Sequence, residues 1–126
     1  MYVDYFELDL VGVAAELAAT IPGVRSIRLF GSRKYPGKVR SDLDLLITGP
    51  SNLSSLLDFR DKFQHYKPLD LWLASGGAAT SAVNGSVLPV EALRTIELYP
   101  HPDPNLLSEL RVQRFSLRLN LVRRLS

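Results

Sequence analysis

The 126-residue chain contains no cysteine, and histidine, methionine and tryptophan occur only two, one and one times. The lack of cysteine excludes a disulfide framework, a thiolate zinc site and catalysis by a thiol. No hydrophobic run approaches the length that crosses a membrane. The acidic start, Met1-Tyr2-Val3-Asp4-Tyr5, lacks the basic region of a secretory signal. Together these absences favour a cytoplasmic protein.

Strong net charge is also absent, because the formal charge is only +2. The charge is uneven along the chain: residues 105–126 carry five arginines and one glutamate, and residues 1–104 are net negative. This balance is too mild for a dedicated nucleic-acid binder, although a basic tail could meet an acidic partner or a polynucleotide. A hydrophobic content of 46% is typical of a globular chain, and the length fits one domain.

Acidic residues alternate with apolar residues in two predicted strands, over residues 43–48 and 69–74. Asp42 and Asp44 point to one face of the first strand because side chains alternate along a strand. Asp70 occupies the same kind of position in the second strand. Carboxylates held close together repel each other, and a divalent cation such as Mg²⁺ relieves the repulsion. The three aspartates are therefore predicted as metal ligands and catalytic residues of a site that could hold two metals.

A turn that precedes these carboxylates has the residues of a phosphate-binding loop. Gly31 allows close approach of the backbone, and the hydroxyl of Ser32 can hold phosphate oxygens. Arg33 is the favoured partner of a triphosphate among the four cations between Ser32 and Ser41, and Ser41 is assigned to the same nucleotide-binding set. The alternative for this charged loop is a solvated hairpin tip.

The order of these parts resembles a known family. Gly31-Ser32, nine further residues, Asp42-x-Asp44 and then Asp70 in an apolar strand resemble the DNA polymerase β-type nucleotidyltransferase superfamily. Within it, the small size of the chain and the residue pattern around Asp42 resemble those of the minimal nucleotidyltransferases, which are often the antitoxin half of a HEPN toxin pair. The resemblance covers roughly residues 24–74. It implies an α/β (α+β) fold, in which a small mixed β-sheet of the palm-like nucleotidyltransferase kind carries helices on one face and the carboxylates on the other.

The remaining elements follow from periodicity and from turn residues. Trp72 shares the face of Asp70, so it either stacks on a base or packs on the sheet.

Residues 1–104 are predicted as the nucleotidyltransferase domain and residues 105–126 as a C-terminal helix, within a single domain overall. The other predictions are a first helix capped by Asp4 and ending at Thr20, a strand Val24–Phe30, a helix capped by Ser51 or Asn52, a flexible loop Ser75–Ser86, a short helix Pro89–Thr95 and an edge strand Ile96–Tyr99.

The predicted C-terminal helix, residues 105–125, carries two apolar stripes with arginines between them. A surface helix of a small domain buries only one such stripe. We therefore expect either a partner chain, toxin-like or a second copy, or a chain that was cut from a longer protein. The first stripe consists of Leu106, Leu110, Leu117 and Leu121, and the second of Val112, Phe115, Leu119 and Val122.

The sequence favours a metal-dependent nucleotidyltransferase that moves a nucleoside monophosphate from an NTP to a hydroxyl and releases pyrophosphate. By resemblance, the nucleotide is ATP, the cation is Mg²⁺ or Mn²⁺, and the acceptor is a partner protein such as a HEPN toxin. One alternative is a non-catalytic antitoxin or regulatory subunit. A third hypothesis is a nucleotidyltransferase that acts on RNA ends or on a small molecule.

Overall fold

A computed structural model of the chain describes residues 5–30, 43–50, 52–62, 69–111 and 113–116. Strands and helices alternate in the first half, and strands dominate the second half. The strands are β1 Tyr5–Leu8, β2 Ser26–Phe30, β3 Leu43–Thr48, β4 Leu69–Ser75, β5 Ala78–Ser81, β6 Val87–Pro89, β7 Ile96–Tyr99 and β8 Gln113–Ser116. The helices are α1 Leu10–Thr20, α2 Ser54–Lys62 and α3 Leu107–Leu110, with a 3-10 turn at Val90–Ala92.

Six of the strands form one mixed sheet in the order β6-β5-β4-β3-β2-β7. β3 and β4 are parallel and are joined through α2, whereas the other neighbours in the sheet are antiparallel. β1 and β8 form a separate antiparallel pair. The mixed sheet and the α/β composition confirm the predicted fold class at this level.

The main core lies between the sheet and its helices. Alternate residues of β3, including Leu45 and Ile47, are fully buried, as is Leu71 of β4. They pack with Leu17 of α1 and Leu56 of α2 in one cluster. The alternation predicted for these strands is therefore confirmed, and the helices cover the face opposite to the acidic residues.

The acidic face of the sheet is partly covered, and the chain that covers it is the connection from β6 to β7. These two strands lie at opposite edges of the sheet, so residues 90–95 have to cross it. Val90 and Leu93 of this crossing segment pack against a second apolar cluster on the sheet. The buried members of that cluster are Phe30, Leu46, Trp72 and Ala79.

The first helix begins later than the sequence predicted. Asp9 rather than Asp4 caps it, because the Asp9 side chain accepts a hydrogen bond from the backbone N–H of Gly12 at 2.9 Å. Residues 5–8 form β1 instead of a first helical turn. The predicted end of the helix is confirmed: the N–H of Ile21 bonds to the carbonyl of Leu17, and Gly23 then turns the chain with a φ of 87°.

The prediction of a long C-terminal helix is wrong over residues 113–116. Among the described residues of this segment, only Leu107–Leu110 are helical, and β8 then pairs antiparallel with β1, with Phe115 opposite Phe6. A strand partner contributed by the start of the chain outweighs helical periodicity here, because sequence propensity is weaker than tertiary pairing. The other members of the second stripe, Val112, Leu119 and Val122, lie outside the described residues. Residues 113–116 therefore carry no helical stripe, so the expected partner chain or homodimer loses this part of its support.

Two predictions for the middle of the chain are also corrected. The stretch Ser75–Ser86, expected as a flexible loop, contains the β4–β5 turn and strand β5. The stretch Pro89–Thr95, expected as a short helix, contains the last residue of β6 and a single 3-10 turn. The helix cap at Asn52 is confirmed, because its Oδ1 accepts a bond from the N–H of Ser55 at 3.1 Å. The edge strand Ile96–Tyr99 is confirmed with its predicted bounds.

Candidate carboxylate site

Asp44 and Asp70 lie directly beside each other on the two parallel strands of the sheet. In the register of β3 and β4, Asp44 pairs with Asp70. The neighbouring pairs are Leu43 with Leu69 and Leu45 with Leu71. Because partners in a parallel ladder have side chains on the same face, both carboxylates extend from the acidic face. Both residues are half-buried. The sequence placed them on separate strands, and the fold brings them together.

Trp72 holds the carboxylate of Asp44. The indole Nε1–H of Trp72 donates to Oδ1 of Asp44 at 3.3 Å. The indole ring is only 6% exposed and lies edge-on to the ring of Phe30, with centroids 5.6 Å apart. Between the two outcomes predicted for Trp72, packing on the sheet is therefore correct, because a ring that is almost completely buried offers no face to a base.

Ser81 holds the carboxylate of Asp70. The hydroxyl of Ser81 donates to Oδ1 of Asp70 at 2.7 Å, from the strand that pairs with β4 on its other side. A hydroxyl bond of this length to a carboxylate is short and charge-assisted. Ser81 was not predicted as a site residue, because the small residues around it have no apolar alternation strong enough to indicate a strand. The only signal was its position shortly after the strand of Asp70.

Helix α2 fixes the backbone next to Asp70. Nε of Arg60 donates to the carbonyl oxygen of Leu69 at 2.7 Å. The side chain of Arg60 is mostly buried, with 17% exposed, so this bond is sheltered from competing water. Arg60 therefore ties the helix to the first residue of β4 and positions Asp70 along the strand.

Among the described residues, the cation nearest in register to Asp44 and Asp70 has an acidic partner. Arg28 shares the acidic face with Phe30, two residues along β2, and forms an ion pair with Glu97 of β7 at 3.1 Å. It also donates a longer bond of 3.4 Å to the hydroxyl of Thr95. These contacts fasten the end of the crossing segment to the sheet.

Five of the predicted site residues lie outside the described residues, so their placement relative to Asp44 and Asp70 stays a prediction. They are Gly31, Ser32, Arg33, Ser41 and Asp42. Within the described ranges, no cluster of three metal-ligating side chains occurs. The predicted trio is not tested by that finding, because Asp42 belongs to it.

The two described carboxylates nevertheless suit a hard divalent cation. They are adjacent, half-buried and held by neutral donors, and carboxylate oxygens are the ligands that Mg²⁺ and Mn²⁺ prefer. Two like charges in neighbouring register positions destabilise each other, and a cation between them would remove that repulsion. Asp44 and Asp70 therefore fit the metal-ligand roles that the sequence assigned to them.

A cavity of about 240 Å³ lies elsewhere, between the end of α1 and one side of α2. Residues 20–22 and four residues of α2, among them Phe59 and Lys62, line it. Neither aspartate of the carboxylate site borders this cavity, so the two features are separate.

Comparison with known proteins adds no assignment: no family model, no curated protein and no solved structure matches the chain. In the part of the chain that the structure describes, none of the helices combines the length and the apolar character needed to cross a membrane.

Proposed function

We propose that the chain is a metal-dependent nucleotidyltransferase whose catalytic residues are Asp42, Asp44 and Asp70. The observation that carries the proposal is the register of the two parallel strands, which sets Asp44 directly beside Asp70 on one face. The sequence pattern around Gly31 and Asp42, which resembles the polymerase β-type superfamily, supports it independently.

The three carboxylates would hold Mg²⁺ or Mn²⁺. When bound, such a cation neutralises charge on the triphosphate and on the departing pyrophosphate. Gly31 and Ser32, with Arg33 and Ser41, would bind and orient the phosphate groups. Chemistry of this kind depends mostly on positioning and on charge, so a small sheet with rigidly held carboxylates suffices.

The reaction forms one bond and breaks one bond at the α-phosphorus. The oxygen of the acceptor hydroxyl attacks the α-phosphorus, and the bond to the bridging oxygen of the β-phosphate breaks, so pyrophosphate leaves. The proton of the hydroxyl passes to the carboxylate of Asp70, which acts as the general base. The bond from Ser81 holds Oδ1 of that carboxylate in place.

For the nucleotide we propose ATP, and for the acceptor a hydroxyl on a partner protein of the toxin type. Both follow from the family resemblance. An RNA end or a small molecule is the alternative acceptor, and a non-catalytic antitoxin subunit is the alternative role for the whole chain.

The first test is nucleotide-dependent stabilisation. Mg²⁺ with a non-hydrolysable ATP analogue should stabilise the wild-type chain by about 2.7 kcal/mol when the ligand is 100-fold above its Kd. Asp44→Asn and Asp70→Asn keep the size of each side chain but remove a negative charge, so both should lose most of the shift in melting temperature. The metal-free melting temperature of Asp44→Asn should not fall, because carboxylate repulsion is relieved.

Asp58→Asn is the matched control, because Asp58 is an exposed carboxylate on α2. It should keep the full ligand-dependent shift. The second measurement follows label from α-³²P-ATP into protein, RNA and small-molecule fractions, and the fraction that is labelled identifies the acceptor class. Ligand-dependent stabilisation that persists in both Asp44→Asn and Asp70→Asn would refute the proposed site.

A further inference from the structure

Ser81 has an unusual environment for a polar side chain. It is 1% exposed, and it is the one polar side chain that is fully buried among the described residues. Its hydroxyl oxygen accepts hydrogen bonds from the backbone N–H groups of Val83 and Asn84, at 3.1 and 3.3 Å. A hydroxyl has two lone pairs and one proton. Because N–H donors occupy both lone pairs, the remaining hydrogen bond of the hydroxyl is the one in which it donates its proton to Oδ1 of Asp70.

The donor at the Asp44 carboxylate, the indole of Trp72, also has a fixed role, but for a different reason. The indole Nε1–H of Trp72 can only donate, because this nitrogen has no lone pair available to accept. Burial of the ring against Phe30, Leu46 and Ala79 fixes the direction of the N–H bond toward Asp44. Each aspartate therefore faces a donor that cannot reverse its role.

A donor with a fixed direction orients the carboxylate that it contacts. Metal ligands must be deprotonated, and the donors behind metal ligands commonly set their orientation. A donor with a fixed direction thus sets the orientation in which the carboxylate can bind a cation.

We propose that Ser81 and Trp72 are positioning residues, which hold the carboxylates of Asp70 and Asp44 in the orientation that a divalent cation requires. This inference rests on the proposed function, and it adds two residues that act on the cation only through the aspartates. The turn after β5 becomes part of the site, since the N–H groups of Val83 and Asn84 orient the Ser81 hydroxyl.

The test measures the Mn²⁺ affinity of the full chain, from the electron paramagnetic resonance signal of free Mn²⁺. Ser81→Ala should bind Mn²⁺ about tenfold more weakly or worse. Ser81→Thr, which restores a hydroxyl in a strand position, should recover most of that loss. Thr80→Ala is the matched control, because Thr80 is the neighbouring residue of β5, on the opposite face, and its hydroxyl lies away from the aspartates.

Trp72→Phe provides a second, independent variant. It keeps an aromatic ring against Phe30 and removes the N–H donor together with part of the buried ring volume, so a loss of affinity comparable to that of Ser81→Ala is expected in the folded variant. Circular dichroism at the assay temperature establishes that each variant is folded. A merely structural role would lower the melting temperature and leave the Mn²⁺ affinity of the folded variant unchanged.

The outcomes separate this inference from the proposed function. Wild-type Mn²⁺ affinity in folded Ser81→Ala and Trp72→Phe would overturn the positioning roles, while a loss of binding in Asp44→Asn and Asp70→Asn would leave the proposed site standing. Should the wild-type chain itself bind no Mn²⁺, the proposed site and the positioning roles both fail. If Ser81→Ala does not fold, the result for Trp72→Phe decides.

Discussion

At the scale of single residues, Asp44 and Asp70 depend on two different kinds of neighbour. The indole of Trp72 is a rigid donor that belongs to an apolar cluster, whereas the hydroxyl of Ser81 is a small donor at the end of β5 that the following turn holds. The contact of Trp72 with Asp44 is sensitive to core packing, and the contact of Ser81 with Asp70 is sensitive to backbone geometry. Substitutions near the two aspartates should therefore affect the site through separate routes.

Trp72 should report directly on cation binding, because it is the only tryptophan in the chain and its N–H contacts Asp44. Paramagnetic Mn²⁺ bound at Asp44 and Asp70 should quench its fluorescence in a saturable way. Asp44→Asn and Asp70→Asn should abolish the saturable quenching, and diamagnetic Mg²⁺ should compete with it. Quenching that grows linearly with Mn²⁺ in all variants would indicate collisions in solution and contradict a site beside Trp72.

The face of the strand on which each of these side chains lies could be predicted from alternation alone. The shared face of Asp70 and Trp72, and the opposite face of Leu69, Leu71 and Leu73, require only that residues 69–74 form a strand. The register that joins Asp70 to Asp44, and the approach of Ser81, could not be predicted, because a sequence pattern does not specify which strands become neighbours or how they align.

At the scale of elements, the close approach of two glycines fixes the passage from α1 into the sheet. Gly49, at the end of β3, has a φ of +117°, and a Cβ there would overlap the carbonyl oxygen of Gly23. The N–H of Arg25 bonds to the carbonyl of Thr48 in the same place, at 2.8 Å. The hydroxyls of Ser26 and Thr48 are also hydrogen-bonded across β2 and β3.

Gly49→Ala should therefore destabilise the chain by at least about 2 kcal/mol, from backbone strain together with overlap. The control is Gly76→Ala, where φ is also positive, at +59°, but a Cβ would meet nothing within 4 Å. That variant should lose only about 1–2 kcal/mol, from the left-handed backbone alone. Urea unfolding followed by circular dichroism measures both losses. Equal losses in the two variants would show that the contact with Gly23 is not restrictive.

The wrong predictions at this scale share one cause. Residues 5–8 and 113–116 both continue helical patterns in the sequence, yet each forms a strand because the other is available as its partner. Residues 78–81 are small and weakly patterned, and they form β5 because β4 offers a free edge. A pattern within one segment contains no information on a partner that is distant in the sequence.

At the scale of the whole molecule, stability should be highest in the two central strands and lowest at one edge. β3 and β4 are each paired on both sides, and they supply fully buried residues such as Leu45 and Leu71 to the core. β6 is the outer strand at one edge, and all three of its residues are exposed. Local opening requires little energy where few apolar contacts are lost.

Native-state hydrogen exchange should show this gradient. The hydrogen-bonded amides of β3 and β4 should exchange with free energies close to that of global unfolding and with the same dependence on denaturant. The amides of β5 that bond to β6 should exchange with clearly lower free energies and little dependence on denaturant, because they open locally. Uniform exchange across the sheet would contradict this gradient and indicate that β6 unfolds only with the core.

Local sequence patterns were sufficient to predict β3, β4, β7 and α2, β2 and α1 apart from their starts, and the separation of acidic from apolar faces. Those features depend on local periodicity, which neighbouring residues specify. Long-range packing was needed to set the order of the strands, the pairing of β1 with β8, the segment that crosses the acidic face, and the contacts of Trp72 and Ser81 with the two aspartates. Each of these depends on contacts between residues distant in the chain, where burial and strand pairing outweigh local preference.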